Sequence, residues 1–282
     1  MRFMGSLSQE EQASLVLYGA PMDYTTSFRP GARFGPTRVR EISDGLEEYS
    51  YRLDRDLSEA GFFDAGDVEC PFGNVERSLN AIGRETRRIL SAAKLPLLVG
   101  GEHLVSLPAI EAVYERYPEL IVLQFDAHAD LRADYMGEVK SHATVMGRVL
   151  DLLGPQRIYQ FGIRSGTREE FALGRRDNFF YPGTVLEPLL SVIPALGSVP
   201  IYITIDIDVL DSAHVPGTGT PEAGGITSSE LLEAIYAMQG LNVVGMDIVE
   251  LSPVLDTNDS TALLVAKLVR ESMIAFGKGV TA

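Results

Sequence analysis

Apolar residues along this chain come in short runs separated by amphipathic stretches. The runs Ser14–Pro21, Leu95–Gly100, Leu120–Phe125, Arg157–Ile163, Ile201–Ile205 and Asn242–Met246 are rich in Leu, Ile and Val and show little alternation, the pattern of strands buried on both faces. The stretches between them read as helices. Asn74 caps one that carries Val75, Leu79, Ile82, Thr86 and Ile89, whose three- and four-residue spacing makes a single apolar face. Pro108 suits the first turn of a helix reaching Tyr117, and Gly154-Pro155 ends another over Val145–Leu153. Further helices are predicted around Val39–Leu46 after a Gly/Pro loop, over Arg168–Arg175, over Val185–Leu196 with Pro194 bending its end, and over Ser260–Phe276. Thr227 and Glu230 have the spacing of a capping box ahead of a helix over Leu231–Met238.

Strands alternating with helices predict a parallel sheet covered on both faces. No repeat, low-complexity segment or linker interrupts the alternation. The chemically interesting residues fall between 103 and 250, so a division of the chain would split them; one domain over 1–282 is the expectation.

The residues that follow the strands carry the chemistry. Leu97–Gly101 runs into Glu102-His103, Leu120–Phe125 into Asp126-Ala-His128-Ala-Asp130, Ile201–Ile205 into Asp206-Ile-Asp208, and Val243–Val249 into Glu250. Open parallel sheets bind ligands beyond the carboxyl ends of their strands. In extended chain residues i and i+2 project to one side, so Asp126, His128 and Asp130 can converge, as can Asp206 and Asp208. Four clustered carboxylates repel one another unless they take up protons or surround cations, and two divalent ions balance four negative charges. An oxygen-rich set with two imidazoles and no thiolate suits manganese better than structural zinc. Taken singly, an Asp at a strand end is commonly a turn or cap residue. It is the combination of D-x-H-x-D with D-x-D-x-x-D, in a chain with only the four histidines 103, 128, 142 and 214, that is specific.

Composition narrows the partners. With 24 basic and 39 acidic residues the net charge is −15, a field that repels nucleic acid and anionic membranes and attracts metals and cationic substrates. The one cysteine, Cys70, allows no internal disulfide. The first residues turn polar and acidic where a signal peptide needs an apolar run, and no stretch has the length of a membrane span, so the expected location is the cytoplasm.

The motifs GGEH (100–103), FDAHADLR (125–132), SHAT (141–144), IDIDVLDSAHVPGTGTPEAGG (205–225) and DIVELSP (247–253) resemble those of the arginase/agmatinase ureohydrolase family. RPGARFGPTRVR (29–40) is similar to its agmatinase branch in particular. The resemblance runs from about residue 14 to 276. It implies a three-layer α/β/α sandwich around a central, mainly parallel sheet of about eight strands, two Mn2+ per subunit, and a homo-oligomer, trimeric or hexameric. It implies as metal ligands His103, Asp126, His128, Asp130, Asp206 and Asp208, with Asp126 and Asp206 at the bridging positions. By the same resemblance His142 is the acid or proton shuttle and also meets the substrate, Glu250 pairs with the substrate guanidinium and Thr220 supplies a hydroxyl nearby; in the expected mechanism Asp130 orients the attacking water. Ala143 stands where the family commonly has Gly or Ser. For His214 a supporting role and a catalytic one are both open, and Asp211 is expected to orient its loop.

The implied reaction is metal-dependent hydrolysis of a small cationic guanidine, by water shared between the two ions. The loop LRADYMGEVKS (131–141) lacks the Asn, Ser and Thr with which arginases hold an α-amino acid, and is similar to the agmatinase loop; agmatine, giving putrescine and urea, is the first choice. Asp134 and Asp23 are candidate partners for the far amine. Guanidinobutyrate is the alternative, with Arg132, Arg164 or Lys140 for its carboxylate. Arginase activity, formimino- or acyl-amide hydrolysis and a non-catalytic metal-binding role are the other readings.

Overall fold

A computed structural model describes residues 1–280. Among the described residues are ten strands and eight α-helices: β1 Leu15–Ala20, α1 Gly35–Ser43, β2 Tyr49–Ser50, β3 Arg55–Asp56, β4 Phe62–Asp67, α2 Val75–Ser91, β5 Leu95–Gly100, α3 Ser106–Arg116, β6 Ile121–Phe125, α4 Val145–Leu153, β7 Ile158–Phe161, α5 Arg168–Asp177, β8 Phe179–Tyr181, α6 Leu186–Leu196, β9 Ile201–Asp206, α7 Ser228–Ala237, β10 Val243–Val249 and α8 Ser260–Phe276. Eight strands form one sheet in the order β4-β1-β5-β10-β9-β6-β7-β8, and β2 and β3 make a separate antiparallel pair. Every pairing in the large sheet is parallel.

Alternation along the strands sorts side chains into two cores. Leu15, Leu17, Leu97, Val99, Leu123, Phe125, Ile201, Ile203 and Ile205 face one side, under α1, α6, α7 and α8. Val16, Tyr18, Leu98, Val122 and Tyr202 face the other, under α2, α3 and α4, with Phe171 and Leu173 of α5 at its margin. The result is the three-layer α/β/α sandwich. No helix among the described residues is long and apolar enough to cross a membrane.

The six predicted strands and the helical stretches are present, with three differences. Helix α1 begins at Gly35, earlier than Val39, because Pro36 sits in its first turn, where a missing N–H costs nothing. The sheet-edge strands β4 (FFDAGD) and β8 (FFY) do not show in the hydrophobic pattern: one mixes apolar and polar residues, and the other is three residues long. At α7 the capping box is half made. Thr227 accepts the Glu230 N–H, but the Glu230 carboxylate accepts the Leu186 N–H of α6 instead of turning back. A complete box stands at α5, between Thr167 and Glu170.

Candidate metal centre

The four central strands β5, β10, β9 and β6 are neighbours, and their registers bring their carboxyl ends level: Val99 lies beside Ile248, Ile248 beside Ile205, and Ile205 beside Phe125. His103, Glu250, Asp206 with Asp208, and Asp126 with His128 and Asp130 therefore emerge side by side. Glycine is required at one of these ends. A Cβ on Gly101 would lie 1.9 Å from the Met22 carbonyl oxygen, which is fixed by accepting the Glu102 N–H.

Two groups of donor atoms result. His103 Nδ1 lies 3.1 Å from Asp126 Oδ2, 3.3 Å from Asp130 Oδ2 and 3.5 Å from Asp206 Oδ2. His128 Nδ1 lies 2.8 Å from Asp208 Oδ2 and 3.7 Å from Asp126 Oδ1. Asp126 turns one oxygen to each imidazole and belongs to both groups. Asp206, expected with Asp126 at a bridging position, has its Oδ2 with the His103 group. Its other oxygen accepts the Asp208 N–H at 2.9 Å.

The convergence comes from turns rather than from strand alternation. Asp126 accepts the His128 N–H at 2.6 Å just as Asp206 accepts that of Asp208, so each pair closes an Asx turn beyond its strand. Asp130 and Glu250 have positive φ (53° and 70°), an unfavourable backbone for residues with a Cβ. Such strain persists where the surroundings impose it, commonly at functional positions.

The donor chemistry fits a cation. His103 is buried and its Nδ1 has no hydrogen-bond partner. Its Nε2 lies 2.9 Å from Thr204 Oγ1, whose own hydrogen goes to Asp247 Oδ1 at 2.6 Å. Asp247 also accepts from Tyr202. Thr204 must therefore accept from Nε2–H, so that in the neutral ring the lone pair is on Nδ1, aimed at three carboxylates. Asp126 is oriented in the same manner: Asn178 donates to Gln160, Gln160 to Gln124, and Gln124 Nε2 to Asp126 Oδ2 at 2.7 Å. Sequence reasoning misses Gln124, Thr204 and Asp247; their signal is a polar residue inside an otherwise apolar strand.

By themselves these groups can balance charge only with protons. Burial would lower both imidazoles, but the carboxylates of Asp126 and Asp130 hold His103 well above its usual value, and Asp208 and Asp126 do the same to His128. Burial, then the neighbouring carboxylates, push Asp206 up, and burial with Asp126 pushes Asp130 up. Asp126, between the two imidazoles, is held low despite burial. Glu250 is raised to about 8 by burial and by Glu102, and its carboxylate accepts the His103 N–H at 2.8 Å. A site that raises so many carboxyl groups is one that cations stabilise.

Beside the donors is a cavity of about 230 Å³, lined among others by His142, Thr220, Glu250, Arg132, Tyr135 and Glu170. Thr220 Oγ1 is 3.5 Å from Asp208 Oδ2. The His142 ring packs edge-on against Tyr135. Several expected tail partners are otherwise engaged. Asp23 is buried and accepts from Gly31 N and Arg33 Nε, and Asp134 accepts the Gly137 N–H of its own turn. Arg164 spends its guanidinium on backbone carbonyls, including those of Asp208 and Glu222, and Lys140 pairs with Glu76. Of the three proposed cations only Arg132 lines the cavity, over the Tyr135 ring and 3.4 Å from Glu170. His214 is exposed, and Asp211 accepts the N–H groups of Ala213, Gly224 and Gly225, an anchor for its loop. A larger open groove of about 750 Å³, between α2 and residues 65–71, has no comparable donor cluster among the described residues.

Known proteins are similar to this chain over nearly their whole length. The chain is 52% identical over 279 residues to an agmatinase of Bacillus subtilis, covering 98% of this chain and 96% of that one. It is 36% identical over 267 residues to a guanidinobutyrase of Pseudomonas aeruginosa, covering 90% and 84%. The crystal structure of the agmatine ureohydrolase of Thermoplasma volcanium superposes with a TM-score of 0.91 at 33% identity, covering 98% and 94%. The sequence profile of the Arginase family matches residues 13–275, and together with these relatives it establishes that the chain belongs to the arginase family.

Proposed function

We propose that this chain hydrolyses agmatine to putrescine and urea with two manganese ions. The observation that carries the reading is the pair of donor groups joined through Asp126, with Glu250 and His142 at the adjoining cavity. In this reading His103, Asp126, Asp130 and Asp206 hold one ion and His128, Asp126 and Asp208 the other. Two divalent cations bound there would supply Lewis acidity and lower the pKa of a bound water toward neutrality.

The chain's own groups do the rest. Glu250, raised by burial and by Glu102, receives the planar guanidinium through charge-assisted hydrogen bonds, and that cation favours its charged form. Asp130 orients the attacking water. Thr220 donates near the same end. The leaving amine must gain a proton, and His142 delivers it. Burial above all pushes His142 down to about 4, so its imidazole is neutral at neutral pH. It would therefore pass to the amine a proton taken from the attacking water.

Agmatine is favoured over arginine because the 131–141 loop offers few groups for an α-amino acid and Arg132 is already drawn to Glu170. That same Arg132 is what supports the second reading, a guanidinobutyrase. The proposal extends to residues 1–282 as one catalytic unit, in the cytoplasm, assembled as a trimer or hexamer. Urea release from agmatine, arginine, guanidinobutyrate and formiminoglutamate tests it. Agmatine is expected to lead the panel, with activity lost on chelation and restored by manganese. No urea from any guanidine, with two ions per chain confirmed bound, overturns the reading.

A further inference from the structure

Glu102 separates the glycines that end β5 from the donor His103, and no step above uses it. Its side chain is fully buried, and every partner it has lies on one segment. The Thr25 N–H donates to both its oxygens at 3.1 and 3.0 Å, Thr25 Oγ1 to Oε2 at 2.7 Å, and Thr26 Oγ1 to Oε2 at 3.3 Å. Its own N–H donates to the Met22 carbonyl at 2.8 Å. Segment 22–26 is thus tied to residue 102 through both main chain and side chain.

That segment is also what meets His142. Thr25 Oγ1 accepts the His142 N–H at 3.1 Å, and Ser27 Oγ lies 3.3 Å from His142 Nε2. The polarity of the connection is forced. Three donor groups converge on the Glu102 oxygens and the His142 backbone N–H only donates, so the single Thr25 hydroxyl hydrogen goes to Glu102 and its lone pair faces His142. The His142 N–H opens a short 3-10 turn, where no carbonyl of that turn is available to it.

We infer that Glu102 is a positioning residue for His142: through Thr25 it fixes where the proton-relaying imidazole stands over the donor cluster. This rests on the role of His142 in the proposed reaction. Glutamine substitutes only in part: with its oxygen in the Oε2 position it keeps the donors there, but its NH2 then faces the Thr25 N–H, two donors meeting. Misplacement of a catalytic group by about 1 Å can cost about 100-fold in rate.

The experiment measures urea release and bound manganese for Glu102→Gln, Thr25→Val and Thr25→Ser, each in the parent and in the His142→Ala background. Glu102→Gln and Thr25→Val are expected to lower kcat about 10- to 100-fold, with KM and manganese content unchanged. Thr25→Ser, which keeps the hydroxyl, should retain the parent rate. In the His142→Ala background none of the three should lower the rate further, because the group they position is gone. A parent rate for His142→Ala overturns the assigned role of that histidine, and the inference with it. Losses that multiply with His142→Ala overturn the inference alone. So does a raised KM, which would mean that Glu102 acts on its neighbour Glu250. Should Glu102→Gln fail to fold, the half-buried Thr25 carries the test: a parent rate for Thr25→Val then overturns the inference.

Discussion

At the scale of single residues, the site depends on hydrogens whose positions are dictated by the groups beneath it. Thr204 has one hydrogen, Asp247 takes it, and His103 must therefore donate from Nε2 and present Nδ1. Thr204→Val keeps the shape and removes the acceptor, so the buried Nε2–H loses its partner and the Nδ1 lone pair is no longer enforced. Loss of such a supporting contact costs about 10- to 100-fold in metal affinity. Manganese titration of the variant is expected to show one weakened site and one near the parent value, since His128 does not touch Thr204. Equal weakening of both sites would contradict the assignment. These supporting residues are legible in the sequence only as oddities, a Gln, a Thr and an Asp within apolar strands. Their reach to Asp126 and His103 depends on which strands are neighbours.

At the scale of elements, the helices are placed by caps and apolar faces that the sequence displays, and some caps also serve the site. Thr167 accepts the Glu170 N–H, and the Glu170 carboxylate accepts both the Thr167 N–H and the Leu131 N–H. The cap of α5 thereby holds the residue after Asp130. Thr167→Ala is expected to lower folding stability by about 1 kcal/mol, read as an earlier midpoint in urea denaturation. Sequence reasoning places a capping box at Thr227–Glu230 and misses the one at Thr167–Glu170. The spacing is the same at both, and the difference is tertiary: Leu186 of α6 presents an N–H to Glu230, whereas Glu170 keeps its bond to Thr167. Short strands at the sheet edges are hidden for a related reason. Residues such as Phe179–Tyr181 are strand because β7 lies beside them.

At the scale of the whole molecule, the sheet gathers like charges that no single element would tolerate. Without cations the neighbouring carboxylates keep His103 and His128 protonated well above the usual imidazole range, and Asp206 and Asp130 are raised as well. Ligation requires neutral imidazole and charged carboxylate, so metal uptake must expel protons. The metal-free protein binds more protons than the loaded one. Manganese affinity is therefore expected to rise with pH across the neutral range, and to fall by about tenfold per unit of acidification for each proton released. Calorimetry in buffers of different ionisation enthalpy counts those protons directly; a buffer-independent heat would show that none is released.

The sequence alone determined a good deal: the strands with their following acids and imidazoles, the alternation that makes the sheet parallel, and the excess of acids at the strand ends. These are local or compositional properties, and they survive without knowing who neighbours whom. Only the tertiary structure decided that β5, β10, β9 and β6 stand side by side, although residues 99 and 248 are far apart in the chain. It also decided that Asp126 alone faces both imidazoles, that Arg164, Lys140, Asp23 and Asp134 are engaged elsewhere, and that Glu102 reaches His142 through Thr25. The physical reason is the same throughout. A side chain's chemistry is written in its type, but the partners that fix its protonation, direction and availability arrive from strands and loops distant in sequence.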